Sequence, residues 1–324
     1  MMINITEAAE YFLENDCFLL LCHASPDGDT VGSASALARV LASMGKKVQI
    51  KCGDRFTKDF DILLKGIPEQ DFEPEHIVAI DVADSKLLGT EFYALYGDKI
   101  ELCIDHHASN TLYAENICLE PDSASAAEVV YLIIEEMKAE ITPEVATCLF
   151  TGVSTDTGCF RFVNTTVRTF EIAAKLAEKG AETFKVVQIF FETKTKTYAA
   201  LERLALNDMR FYFSDRCALI CITRDMFEKT GSNETETTSL ANLTRMVEGV
   251  LVGVLMKEQK DGSFKISVRT NGDVDASEIC SRLGGGGHPG AAACTLSMPR
   301  QKAINCVLKE VEAELDSVRI DSAD

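Results

Sequence analysis

Short apolar runs alternate with helix-spaced apolar positions through the first half of the chain: CFLLLCH at 17–23, KKVQIKC at 46–52, HIVAIDV at 76–82 and KIELCID at 99–105. Runs of that length predict buried strands, and the helical patterns between them predict crossovers. The expected fold class is therefore α/β, with an N-terminal parallel sheet. Between the first two runs, Ala34, Leu37, Leu41 and Met44 recur at helical spacing and Gly45 follows as a stop, which predicts an amphipathic helix. Further helices are expected over 125–138, 143–153 and 167–180, the last closed by Gly180.

The pattern then changes. Residues 186–207, with FFETKTKTYAALERLAL at their centre, hold neither glycine nor proline and are polar on one face, so they predict a helical connector. Beyond it, MRFYFSD, CALICITR, VLVGVLMKE and FKISVRT predict four strands, with helices near 237–248 and 299–315. This describes a smaller α+β domain over 208–324 behind a larger one over 1–185. A length of 324 residues agrees with two domains, since a single core stops growing near about 250 residues. The tail DSVRIDSAD is expected to be loose.

Charge and apolar content narrow the function. The net charge of −19 opposes wrapping on long nucleic acid, which relies on many Lys and Arg contacts to phosphate. A short anionic substrate in a locally positive pocket is not opposed. The longest apolar stretches fall well short of the roughly 20 residues needed to span a bilayer, and no basic leader precedes an apolar N-terminal run. A cytoplasmic location without membrane contact is expected. The 12 cysteines are scattered in apolar runs without a C-x-x-C pair, and are expected to be buried reduced thiols.

Five motifs carry chemistry. His23-Ala-Ser-Pro-Asp27-Gly-Asp29 follows the first apolar run, where the strand ends of an α/β sheet present ligands. Imidazole beside several carboxylates suits a divalent ion, with the oxygen-rich set leaning to Mn²⁺. Asp81 ends IVAI, and Asp105-His106-His107 ends ELCI; adjacent histidines need polar partners once buried. Ser154-Thr-Asp156-Thr-Gly158 predicts a hydroxyl-rich turn, and Gly284-Gly285-Gly286-Gly287-His288 predicts a backbone nest for an anion. Arg269 is a natural phosphate partner for that nest. Taken singly each motif has an ordinary structural explanation. Together they converge on one kind of site.

In this order and at similar separations, HASPDGD, Asp81, DHHASN, STDTG and GGGGH resemble the DHH family of phosphoesterases with its own C-terminal substrate-binding domain, across residues 23–293. The resemblance implies two divalent ions, His23, Asp27 and Asp81 holding one and Asp29, Asp81, His106 and Asp156 the other. It also implies that His107 faces the scissile phosphate with Asp105 behind it, and that Arg269, Gly285, Gly286, Gly287 and His288 hold the far end of the substrate. The short two-domain form is similar to bacterial oligoribonucleases that also act on 3′-phosphoadenosine 5′-phosphate (pAp). Short RNA or a nucleotide is thus the expected partner, a homodimer is compatible, and cyclic di-AMP or its linear product pApA is the alternative substrate. A nucleotide sensor without chemistry is disfavoured by the intact ligand set. One departure is His288-Pro-Gly-Ala-Ala-Ala293, where the family often continues H-K-N-A-A-G, which bears on substrate preference.

Overall fold

The structure, a computed structural model, describes residues 1–232, 237 and 240–321. It divides into two compact units, Met1–Thr193 and Lys194–Asp324.

In the first unit, strands β1 (Phe18–Cys22), β2 (Val48–Cys52), β3 (His76–Ile80), β4 (Leu102–Asp105) and β5 (Asn116–Leu119) form a parallel sheet in the order β2-β1-β3-β4-β5. Eight helices accompany it: α1 (Ile5–Glu14), α2 (Gly28–Ser43), α3 (Asp61–Leu64), α4 (Thr90–Tyr96), α5 (Ala126–Glu136), α6 (Pro143–Asp156), α7 (Val167–Glu178) and α8 (Thr183–Val187). The four expected strands are β1 to β4. All five residues of β1 are buried because both faces are covered: Phe18, Leu20 and Cys22 belong to the larger core with α1, α2, α5 and α6, Leu19 and Leu21 to a smaller core with Leu88 and Ile100. Continuous apolar strands are the signature of such a doubly covered sheet.

Helix α2 starts at Gly28, six positions before Ala34, because the Asp27 carboxylate caps it by accepting from the amides of Asp29 and Thr30. Its first turns are small and polar yet buried, since α6 packs very closely there. A Cβ on Gly32 would lie 2.5 Å from the Cys148 carbonyl oxygen, and one on Gly28 would lie 2.5 Å from the Thr155 side chain. Apolar periodicity cannot report packing of that kind.

The second unit comprises α9 (Lys196–Asp208), β6 (Arg210–Tyr212), β7 (Cys217–Ile222), α10 (Arg224–Thr230), α11 (Leu240–Arg245), β8 (Val252–Glu258), β9 (Phe264–Thr270), α12 (Ala276–Ser281), β10 (Gly286–His288), β11 (Ala291–Leu296) and α13 (Arg300–Asp321). Its six strands lie in the order β10-β11-β9-β8-β7-β6, with β7 and β8 parallel and the other pairs antiparallel. One face packs on α12 and α13, the other on α9, α10 and α11.

The stretch 186–207 is not one connecting helix. A π-helical turn at Gln188–Glu192 follows α8, and α9 then buries Tyr198, Leu201 and Ala205 beside Ile220 and Ile222 of β7. Its apolar side has a partner within the second unit. Residues 238–239 of the helix expected near 237–248 and residues 322–324 of the C-terminal tail lie outside the described residues. All 12 cysteines are free thiols, eight of them buried. Among the described residues no helix is long and apolar enough to cross a membrane.

Candidate metal centre

The carboxyl ends of β1, β3 and β4 and the ends of α2 and α6 deliver the site. His23 follows β1, and its Nδ1 lies 2.8 Å from the Ala24 carbonyl oxygen, which turns Nε2 inward, 3.7 Å from both Asp27 Oδ1 and Asp81 Oδ2. Asp81 follows β3 in a left-handed conformation, φ 61°, a state that Asp tolerates better than most residues. It turns the chain sharply off the strand, and its amide donates to the Ile104 carbonyl at 2.8 Å.

Asp29 sits in the first turn of α2, only 1% exposed. Its Oδ2 accepts from the Ala126 amide at 2.7 Å and its Oδ1 from the Ala127 amide at 2.9 Å, the first two amides of α5. A helix N-terminus stabilises a carboxylate through unpaired amides and the helix dipole. Gly152 of α6 makes room: a Cβ there would stand 2.7 Å from Asp29 Oδ1 and 2.5 Å from the Ala127 Cβ.

Asp105 is the fully buried last residue of β4. Its Oδ1 accepts from the amides of His106 (2.8 Å) and His107 (3.2 Å) and lies 2.8 Å from His107 Nδ1, while its Oδ2 accepts from Asn110 Nδ2 at 2.6 Å. Burial pushes this carboxyl up, but the bonds from His107 and Asn110 outweigh it and hold it below its ordinary value. The same Asp105 bond raises the His107 imidazole above its ordinary value.

His106 Nδ1 lies 3.2 Å from the Ser123 carbonyl oxygen, and its Nε2 points at three acids: Asp81 Oδ1 and Asp156 Oδ2, each at 3.6 Å, and Asp29 Oδ2 at 3.9 Å. Asp156 ends α6 instead of lying in a turn, because the helix continues three residues past the expected 153. Asn164 donates to the Asp156 carbonyl at 3.2 Å.

All eight N-terminal residues singled out by sequence thus lie together. Candidate ligand atoms form three groups, each within 4.8 Å: His23, Asp27 and Asp81; Asp29, His106 and Asp156; and Asp81, His106 and His107. Asp81 and His106 each belong to two of them.

Electrostatics marks the cluster as a cation site. Desolvation, followed by repulsion from Asp156, pushes Asp29 up to about 7, and desolvation, followed by repulsion from Asp27, pushes Asp156 up to about 7. Asp81 lies well above its usual range, by desolvation and then repulsion from Asp29. Asp81 Oδ1 and His106 Nε2 are buried without a hydrogen-bond partner, which is costly unless something else satisfies them. Oxygen and imidazole donors in this proportion fit a divalent ion of the Mn²⁺ type.

Sequence pattern does not single out Asn110, Ser123, Gly152 or Asn164. Asn110 sits inside DHHASN, where a polar residue near two histidines is a usable signal. Ser123 acts through its carbonyl and Gly152 through an absent side chain, and neither leaves a signal in the sequence.

In the second unit the glycine run is a strand and not a free nest. Gly286, Gly287 and His288 form exposed edge strand β10 against β11. A Cβ on Gly285 would lie 2.2 Å from the Ala293 carbonyl oxygen and one on Gly287 2.5 Å from the Ala292 Cα, so these glycines permit close strand approach. Arg269 and His288 both pair with Ala291, one from each side, so the register puts them on one face. Arg269 is partly buried, and its Nη1 donates to the Val268 carbonyl at 3.0 Å.

Residues 18–153 match the N-terminal domain of the DHH family, and residues 219–317 match the DHHA1 domain. The bifunctional oligoribonuclease and PAP phosphatase NrnA of Thermus thermophilus is 30% identical over 304 residues, covering 90% of this chain and 88% of that protein. The Bacillus subtilis protein of the same name is 24% identical, covering 87% and 90%. The cyclic-di-AMP phosphodiesterase GdpP of Geobacillus thermodenitrificans is 27% identical across 89% of this chain but only 46% of its own length. An exopolyphosphatase-related protein from Bacteroides fragilis shares the fold at TM-score 0.85 and 22% identity, covering 95% of each chain. With both domains matched in order and a full-length relative at 30% identity, the chain belongs to the DHH family and is a phosphoesterase.

Proposed function

We propose that the protein hydrolyses short oligoribonucleotides and pAp with two divalent ions, of which Mn²⁺ is the natural choice. The observation that carries this reading is the convergence of His23, Asp27, Asp29, Asp81, His106 and Asp156 around buried, unpartnered donor and acceptor atoms. His23, Asp27 and Asp81 would hold one ion, and Asp29, Asp81, His106 and Asp156 the other. Bound ions of this kind supply Lewis acidity, lowering the pKa of water and neutralising phosphoryl charge.

The remaining steps belong to the chain. Asp105, held by its donors, accepts from His107 Nδ1 and so fixes the ring, and the same bond favours the imidazolium, in which Nε2 also carries a proton. His107 has a 40% exposed side chain, which suits it to hydrogen-bond a phosphoryl oxygen or to donate to the leaving oxygen. The Asp29 and Asp105 carboxylates are rigid because backbone amides bind them, so the site is preorganised. Arg269 and His288, on one face of the second sheet, are assigned to the non-scissile part of the substrate. The substrate class follows the printed activity of the full-length relatives.

The test is release of mononucleotide or phosphate, with Mn²⁺ added, from pAp, RNA of two to five nucleotides, pApA, cyclic di-AMP and pyrophosphate. Turnover of short RNA and pAp is expected to exceed the rest. Preference for cyclic di-AMP or pApA would transfer the assignment to the phosphodiesterase reading, and no turnover of any of them would end the enzymatic one.

A further inference from the structure

Behind His106 lies a polar cluster that no catalytic role accounts for. Ser123 and Ala124, both buried, form the short segment before α5. Three side chains grip it. Asn164 donates to the Ala124 carbonyl at 3.0 Å, Arg168 Nη2 donates to Ser123 Oγ at 3.0 Å, and Glu128 Oε2 accepts from the Ala124 amide at 3.2 Å. Glu128 has no exposed side-chain surface, and Arg168 Nε lies 3.4 Å from its Oε2. A buried carboxylate is costly unless paired, so this ion pair holds a defined geometry.

What the segment does is specific. The Ser123 carbonyl faces His106 Nδ1, which sets the ring so that Nε2 points at Asp29, Asp81 and Asp156. Three residues on, the α5 amides hold Asp29. A shift of the segment therefore moves two candidate ligands at once.

We propose that Glu128, Asn164 and Arg168 are positioning residues that lock the Ser123–Ala124 segment and through it aim His106, and so set metal affinity. This rests on the metal-centre reading above. The sign of one substitution separates it from a bulk charge effect. Removing the Arg168 cation should tighten binding of a divalent cation if only Coulomb forces matter, whereas loss of aim weakens it.

The experiment is calorimetric titration of metal-free protein with Mn²⁺ alone, for wild type, Arg168→Gln, Arg168→Lys, Asn164→Ala and His106→Ala, each verified as folded by circular dichroism. Arg168→Gln and Asn164→Ala are expected to weaken Mn²⁺ binding about 10- to 100-fold, the range for groups that orient a ligand. Arg168→Lys should fall between, because it keeps the charge but not the two-partner geometry. In the Arg168→Gln/His106→Ala double variant, the Arg168 change should cost less than it does alone, because its effect through the His106 ring is already lost. Unchanged or tighter Mn²⁺ binding by Arg168→Gln, or full additivity with His106→Ala, would overturn the proposal while leaving the metal centre standing. Failure of wild-type protein to bind Mn²⁺ would overturn both.

Discussion

The two units present their candidate residues in opposite ways. In the first, Asp29, Asp81 and Asp105 are 4% exposed or less. Two of them are tied to backbone amides, Asp29 by those of α5 and Asp105 by those of His106 and His107. In the second, Gly286, Gly287 and His288 lie exposed on β10, which is an edge strand among the described residues. Burial raises the energy of charged groups until a counter-ion arrives, which suits chemistry. An open edge imposes no such cost and suits recognition of varied substrate ends. The difference teaches that carboxylate burial, and not the number of polar residues, marks the candidate metal centre.

The sharpest way to break this comparison is Asp81→Asn, since Asp81 shares two of the three candidate ligand groups. Activity should fall by at least about 10³-fold, beyond the cost of deleting one preorganised polar group, with circular dichroism unchanged. Retained turnover would remove Asp81 from the centre. Next in size, Asp105→Asn should lower kcat by about 10- to 100-fold, as expected for a group that orients a functional imidazole. Its effect on Mn²⁺ affinity should be smaller than that of His106→Ala. Equal losses in both would mean that Asp105 acts on the metals and not on His107.

In the second unit the expected effect is smaller and of another kind. Arg269→Ala should raise KM about tenfold, near the 1.5 kcal/mol of one charge-assisted hydrogen bond, with kcat nearly constant. A fall confined to kcat would place Arg269 at the chemistry.

The mildest test uses pH. Asp29 and Asp156 rise from 3.8 to about 7 in the folded, metal-free chain. The folded state therefore binds more protons than the unfolded state between about pH 4 and pH 7, and stability is lost as pH rises through that window. Chelated protein should melt several degrees lower at pH 8 than at pH 5, about 2–4 °C for each kcal/mol at this size. Added Mn²⁺ should restore more at pH 8 than at pH 5, and protection of amides from exchange should change in β3 and β4 but not in β8 and β9. A melting temperature independent of pH without metal would show that the carboxylates do not repel one another as described.

Much of this fold is legible in the residues. β1, β3 and β4 coincide with the apolar runs because a sheet covered on both faces needs continuous hydrophobicity, and the edge strand β2 shows through the alternation of Val48 and Ile50 with Gln49 and Lys51. β5 is missed because its only apolar run, Ile117 to Leu119, is set between the polar Asn116 and Glu120 with no apolar approach like that of Ile100 before β4. The Asn4 and Glu7 capping box at the start of α1 was a usable signal. β10 is hidden because glycine has no strand preference and pairs here only by closeness to β11.

By itself the sequence determined which residues are candidates for chemistry and that most of them follow strands β1, β3 and β4, since strand hydrophobicity and the acids beyond it are properties of contiguous residues. Only tertiary structure decided how they meet. The left-handed turn at Asp81, the α5 amides on Asp29, the vacant space at Gly152 and the Ser123 carbonyl behind His106 all join residues distant in the chain. Such contacts depend on close packing of separate elements, and no local pattern encodes them.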